Sequence, residues 1–215
     1  MSKVVPASEY NINVFVNCPF DREYRGILHA IVFAVIDCGY TVRCALEAED
    51  FCSTRIEKIY ALIDQSRFGV HDISRIQQDL DSGLPRFNMP FELGVFLGAR
   101  RYGSASQQRK SCLVLEAKQY EYQQFLSDIA GQDIRQHGNS PRKAVGAVRD
   151  WLAASRPRGK PTLPGSAAIL THYSEFQRAL PEMLAAANPR PSELGFFDRT
   201  KFVGVFVKRR VVQSS

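Results

Sequence analysis

Through the first 155 residues, short β-branched or aromatic runs alternate with stretches whose apolar residues recur at helical spacing, and this constrains the fold more than any other feature. INVFVN (12–17) has the composition of a buried strand and breaks at Pro19. Asp21 is placed to cap a helix over about 22–37 that is apolar nearly all round, with Gly39 as its stop. A second strand is expected at 40–46. Ser53 or Thr54 then caps a helix whose Ile56, Ile59, Tyr60 and Ile63 fall at i, i+3, i+4 and i+7.

The alternation continues with a strand at 67–73, a polar loop over about 74–89, and a helix opening at Pro90 that carries Phe91, Leu93, Phe96 and Leu97. KSCLVLE (110–116) reads as a fourth strand. It precedes a helix-like stretch at 119–128, a weak strand at 133–135, and a helix opened by Pro141. Strands and helices in this order imply a parallel sheet covered on both faces. Right-handed crossovers then give a doubly wound, flavodoxin-like α/β sheet of about five strands.

The chain divides at ASRPRGKPTLPGS (154–166), a Pro- and Gly-rich basic stretch that reads as a linker. The expected organisation is an α/β domain over 1–155 and a small basic accessory region over 156–215. From Arg156 onward ten basic residues face four acids, an excess that equals the whole chain's net charge of +6. The first 155 residues are therefore neutral. Within the accessory region Phe176, Leu180 and Leu184 suggest a helix interrupted by Pro181, and KFVGVFVKRRVV (201–212) reads as a strand.

No apolar run is long enough to span a bilayer, and MSKVVPASEY lacks a signal-peptide core, so a soluble cytoplasmic protein with no membrane partner is expected. The five cysteines form no CxxC pair and the four histidines are scattered, which predicts reduced thiols and no metal. The basic tail allows nucleic-acid binding, but no recognition motif accompanies it, so that partner is not favoured.

P-loop, GxGxxG, GxSxG and HExxH motifs are all absent. Any chemistry then falls to polar residues at the carboxyl ends of the parallel strands, where open α/β sheets bind ligands. These are Asn17 to Asp21, Arg43, His71 to Arg75, and Asn88 to Gly94. Each has a plain structural reading as well. Glu92 could simply complement a helix dipole, Asp72 could cap the turn into Ser74, and Arg75 and Arg86 could be solvated charges.

VFVNCPFD, HDISR and NMPFELGVFLG, in that order over residues 12–116, resemble the superfamily that joins TIR domains with nucleoside 2-deoxyribosyltransferases. CPFD resembles the transferase branch's G-P-F loop, with Asn-Cys standing where small residues are usual. The resemblance implies N-glycosidic chemistry with Glu92 and Asp72 as catalytic carboxylates, Asp72 holding the ribose hydroxyls or the base. It implies a substrate-binding set of Asn17 and Asn88 for ribose or phosphate, Phe20 stacking on the base, Ser74 at the strand end, and Arg43, Arg75 or Arg86 pairing with phosphate. The expected activity is hydrolysis of NAD or a related nucleotide, in bacterial antiphage defence, with no cofactor beyond that nucleotide. A homo-oligomer or a defence-system partner is the expected assembly. The alternatives are a nucleotide sensor using the same pocket without turnover, and a nucleoside 2-deoxyribosyltransferase.

Overall fold

The computed structural model describes residues 6–47, 54–75, 87–157, 159–187 and 194–213. After a short helix, α1 (Ala7–Tyr10), the chain runs β1 (Asn13–Asn17), α2 (Arg25–Asp37), β2 (Thr41–Arg43), α3 (Arg55–Asp64), β3 (Phe68–Asp72), α4 (Asn88–Tyr102), β4 (Ser111–Glu116), β5 (Ile134–Gln136) and α5 (Pro141–Ala154). It ends in two longer helices, α6 (Ser166–Ala187) and α7 (Phe196–Gln213). All five strands pair in parallel in the order β2-β1-β3-β4-β5, a flavodoxin-like sheet. Its topological switch point lies between β1 and β3, where Asn17 stands beside His71.

Local chemistry sets the element ends. Thr54 and Glu57 form a reciprocal capping box at α3, and Ser140 with Pro141 opens α5. Gly39 ends α2 at φ +80°, a conformation that a Cβ would disfavour. Asp21 accepts the Tyr24 N–H at 2.9 Å, but helical geometry begins only at Arg25. β2 is shorter than expected because Glu47 folds back to accept from both Arg43 Nε and the Cys44 N–H.

The stretch at 119–128 is not an α-helix. The Glu116 carboxylate accepts the Tyr120 and Tyr122 N–H groups, and Tyr120 takes φ +63°, so two short 3₁₀ turns form instead. α4 opens at Asn88, with Pro90 inside its first turn. Pro181 does not interrupt α6: it sits at an exposed position, where the carbonyl it leaves unpaired can bond water.

The expected strand at 201–212 is a correction, since those residues lie in α7. β-branched residues there favoured a strand locally, but Val203, Phe202, Phe206 and Val207 reach the core only on a helix. The core has two sides. One packs Val14, Val16, Phe68 and Val70 against α2, α5, α6 and α7 in one continuous cluster. There Phe33 of α2 lies 5.3 Å from the Tyr173 ring and 5.6 Å from the Phe176 ring. The other side is thinner and packs Phe15, Ile73 and Val114 against α3 and α4. The expected boundary at 155/156 falls between α5 and α6, and both helices beyond it extend the α2-side cluster.

Candidate active site

The carboxyl ends of β1 and β3 carry the sequence-predicted residues, and strand alternation sends them to different sides. Phe68 and Val70 face α2, and Asp72, next in that alternation, faces the same way. His71 turns to the opposite side, its ring 4.9 Å from that of Phe96 in α4.

Asp72 is fully buried and its oxygens are engaged within the protein. Oδ1 accepts the Ser74 N–H at 2.9 Å; Oδ2 accepts the Tyr24 hydroxyl at 2.5 Å and lies 2.9 Å from His137 Nε2. His137 Nδ1 accepts the Asn139 N–H at 3.0 Å, so in the neutral ring the proton sits on Nε2, facing Asp72 Oδ2 and Ser74 Oγ. Burial first, and the neighbouring Asp72 carboxylate with it, hold the Tyr24 phenol well above its ordinary range, and it remains a donor. This network ties the ends of β3 and β5 to the start of α2. With both oxygens engaged and no exposure to solvent, Asp72 is not presented to a ribose, and the Ser74 hydroxyl is engaged with His137.

Asn17 also points inward. Its amide donates to the Met89 carbonyl at 2.9 Å and to His71 Nδ1 at 3.1 Å, which leaves the His71 proton on Nε2. Burial first, and the nearby Lys110 charge second, push His71 down to about 3, so it stays neutral. Asn17 therefore fixes the first turn of α4 to the end of β1.

Glu92 lies one helical position beyond that first turn and is only 5% exposed. Burial holds its carboxyl up at about 7, and Arg55 opposes the effect only in part. Glu92 also raises the buried Cys44 thiol, which burial, chiefly, pushes up to about 12. Phe91 beside Glu92 is 52% exposed, and Phe87 before the helix is exposed too.

Asn17 thus meets the first turn of α4, the helix that carries Glu92, on the α4 side, whereas Asp72 faces the α2 side. Arg43 is engaged with Glu47 at 2.9 Å and Gln65 at 3.2 Å. Arg75 pairs with Glu23 at 2.7 Å and Asp21 at 3.4 Å, and borders a cavity of 290 Å³ lined by Glu23, Tyr24, Gly26, Ile27, Asn139 and Pro141. Phe20 is half-buried against the α2-side core, and Asn88 is exposed at the start of α4. Arg86 lies outside the described residues.

Sequence reasoning missed Tyr24 and His137. His137 directly follows β5, so the same strand-end rule would have flagged it had 133–135 been weighted as a full member of the sheet. Among the described residues no cluster of His, Cys, Asp or Glu is arranged to hold a metal ion. No family model, curated protein or solved structure matches the chain.

Proposed function

We propose that this protein is a nucleotide N-glycosidase that hydrolyses NAD or a related nucleotide at the ribosyl–base bond, with Glu92 as its catalytic carboxylate. The observation that carries this reading is a nearly buried glutamate, raised to about 7, on the helix that follows the sheet's switch point. A carboxylate that only complemented a helix dipole would gain from solvent and would not stay in so dry a place.

One available carboxylate suits one class of substrate. When a ribosyl–pyridinium bond breaks, the bonding electrons pass to the ring nitrogen, and nicotinamide leaves neutral without a proton. The sugar becomes cationic at C1′, and an ionised Glu92 beside it offsets that charge. Water then supplies the oxygen to C1′ and releases one proton. A purine or pyrimidine leaving group would need a general acid as well, and Asp72 is committed elsewhere. Arg75, at the rim of the 290 Å³ cavity, is the candidate we assign to the phosphate, which would draw it from Glu23 and Asp21.

Nicotinamide release at high protein concentration tests the reading. Wild type should turn NAD over, and Glu92→Gln should lose two to three orders of magnitude in rate, as roughly expected for one electrostatic group. The wild-type rate should rise with pH and level off above about 7, as Glu92 ionises. Full activity in a folded Glu92→Gln protein would overturn it. The internal commitment of Asp72 favours a second reading, nucleotide binding without turnover, which calorimetric binding with no nicotinamide release would support.

A further inference from the structure

α7 is apolar on two opposite sides. Val203 is buried against the α2-side core, and Phe202, Phe206 and Val207 pack beside it. On the side facing away, Phe197, Lys201, Val205, Lys208 and Val212 succeed one another at spacings of four, four, three and four residues, which forms a single stripe. The stripe is open to solvent: Phe197 is 48% exposed, Val205 41% and Val212 77%. Lys201 lies over the Phe197 ring, with Nζ 4.1 Å from its centre. Arg209 is exposed beside the stripe, and the helix holds a single acid, Asp198.

We infer that this outer stripe of α7 docks the protein on the surface of an anionic lipid bilayer. Apolar residues interleaved with cations suit the boundary between acyl chains and anionic headgroups. There the valines and the phenylalanine leave water while the lysine stems reach outward to phosphate. Two other occupants fit less well. A nucleic acid would take the cations but leave Val205 and Val212 in water. A second copy of α7 would bring Lys201 and Lys208 against their own counterparts. No described helix is long and apolar enough to cross a membrane, so the contact is peripheral. This departs from the expectation of no membrane partner, which rested on the lack of an apolar run long enough to span a bilayer. Within α7 itself Arg199, Lys201, Lys208, Arg209 and Arg210 outnumber the single acid, which favours approach of this helix to a negative surface.

Co-sedimentation of the full chain with vesicles decides the matter, using phosphatidylcholine alone or mixed with phosphatidylserine. Binding is expected to the mixed vesicles only, and to weaken with salt. Lys208→Gln with Arg209→Gln should lower partitioning about 25-fold, at roughly fivefold per cation. Val205→Asn and Val212→Asn should each lower it by up to about tenfold. All four positions are exposed, so melting curves should match wild type and exclude misfolding as the cause. Equal binding to both vesicle types, or to neither, would overturn the inference. So would retention of duplex or single-stranded nucleic acid without vesicle binding, or a dimer that Val205→Asn dissociates.

Discussion

The two sides of the sheet treat a buried acid in opposite ways. On the α2 side, under α2, α5, α6 and α7, Asp72 meets Tyr24, His137 and the Ser74 N–H. On the α4 side, under α3, α4 and the 3₁₀ turns around Tyr122, Glu92 is nearly as buried, yet the charge acting on it among the described residues is Arg55. A buried carboxylate with donors on both oxygens works for the fold. One nearly buried without such partners destabilises the fold, a cost that the proposed catalytic role would account for. Burial alone would have ranked Asp72 first; the count of donors reverses that order.

The largest effect should come from removing the thick side's outer layer. A chain ending at Ser155 lacks α6 and α7 and uncovers Phe33, whose neighbours Tyr173 and Phe176 are gone. Several lost side chains, each worth about 1.5–3 kcal/mol when buried, add up to much of a domain's net stability. The truncated chain should show no cooperative urea transition. A well-folded 1–155 fragment would instead restore a separable accessory module and make the α2 side as thin as the α4 side. Next in size is Asp72→Ala. It strips the acceptor from three buried donors and should cost about 3–5 kcal/mol by urea denaturation. A loss under about 1 kcal/mol would mean that the network contributes little and that the contrast with Glu92 fails.

How much of this could be read beforehand follows a physical division. The parallel sheet was legible because β-branched runs and helical stripes are local patterns. α7 was misread because an amphipathic helix with a second apolar face places Val203, Val205 and Val207 in alternation, as a strand does. Glu92 was singled out by its place in NMPFELG, whereas its burial was not legible there, since it depends on how α4 packs on the sheet. The partition of Asp72 from Glu92 was not legible. It depends on which side the last residue of β3 faces, and a shift of one residue in the strand's end reverses that. Nor was His137 visible as a partner, since 65 residues separate it from Asp72 and only the pairing of β4 with β5 brings the two together.

Glu92→Gln should come next, and here the sign differs from Asp72. The ordinary value is 4.5 and the folded value about 7, so the folded protein keeps a proton that the unfolded chain releases between them. Stability from this group therefore falls as pH rises through that window, and the cost is fully present above about 7. Glu92→Gln removes an ionisation worth on the order of 3 kcal/mol. The variant should be more stable than wild type above the window, and the two should converge below it. Paired urea titrations across pH measure this difference. A variant less stable than wild type at high pH would show that the carboxylate has a partner after all.

The smallest expected effect sits at the rim where the two sides meet. Arg75 is 40% exposed and pairs with Glu23 and Asp21, so Arg75→Gln should change stability by no more than about 1 kcal/mol. Its effect on the proposed reaction should be larger than that. A phosphate at the 290 Å³ cavity would draw Arg75 from its two carboxylates, and losing one exposed charged contact should raise KM about tenfold with kcat unchanged. Such a split would mean that the nucleotide crosses the sheet edge, with its phosphate on the α2 side and its scissile bond at Glu92. An unchanged KM would confine the ligand to the α4 side and leave Arg75 a solvated ion pair. A drop in kcat with KM unchanged would point elsewhere, since Arg75 would then act on the transition state and the phosphate would need another cation.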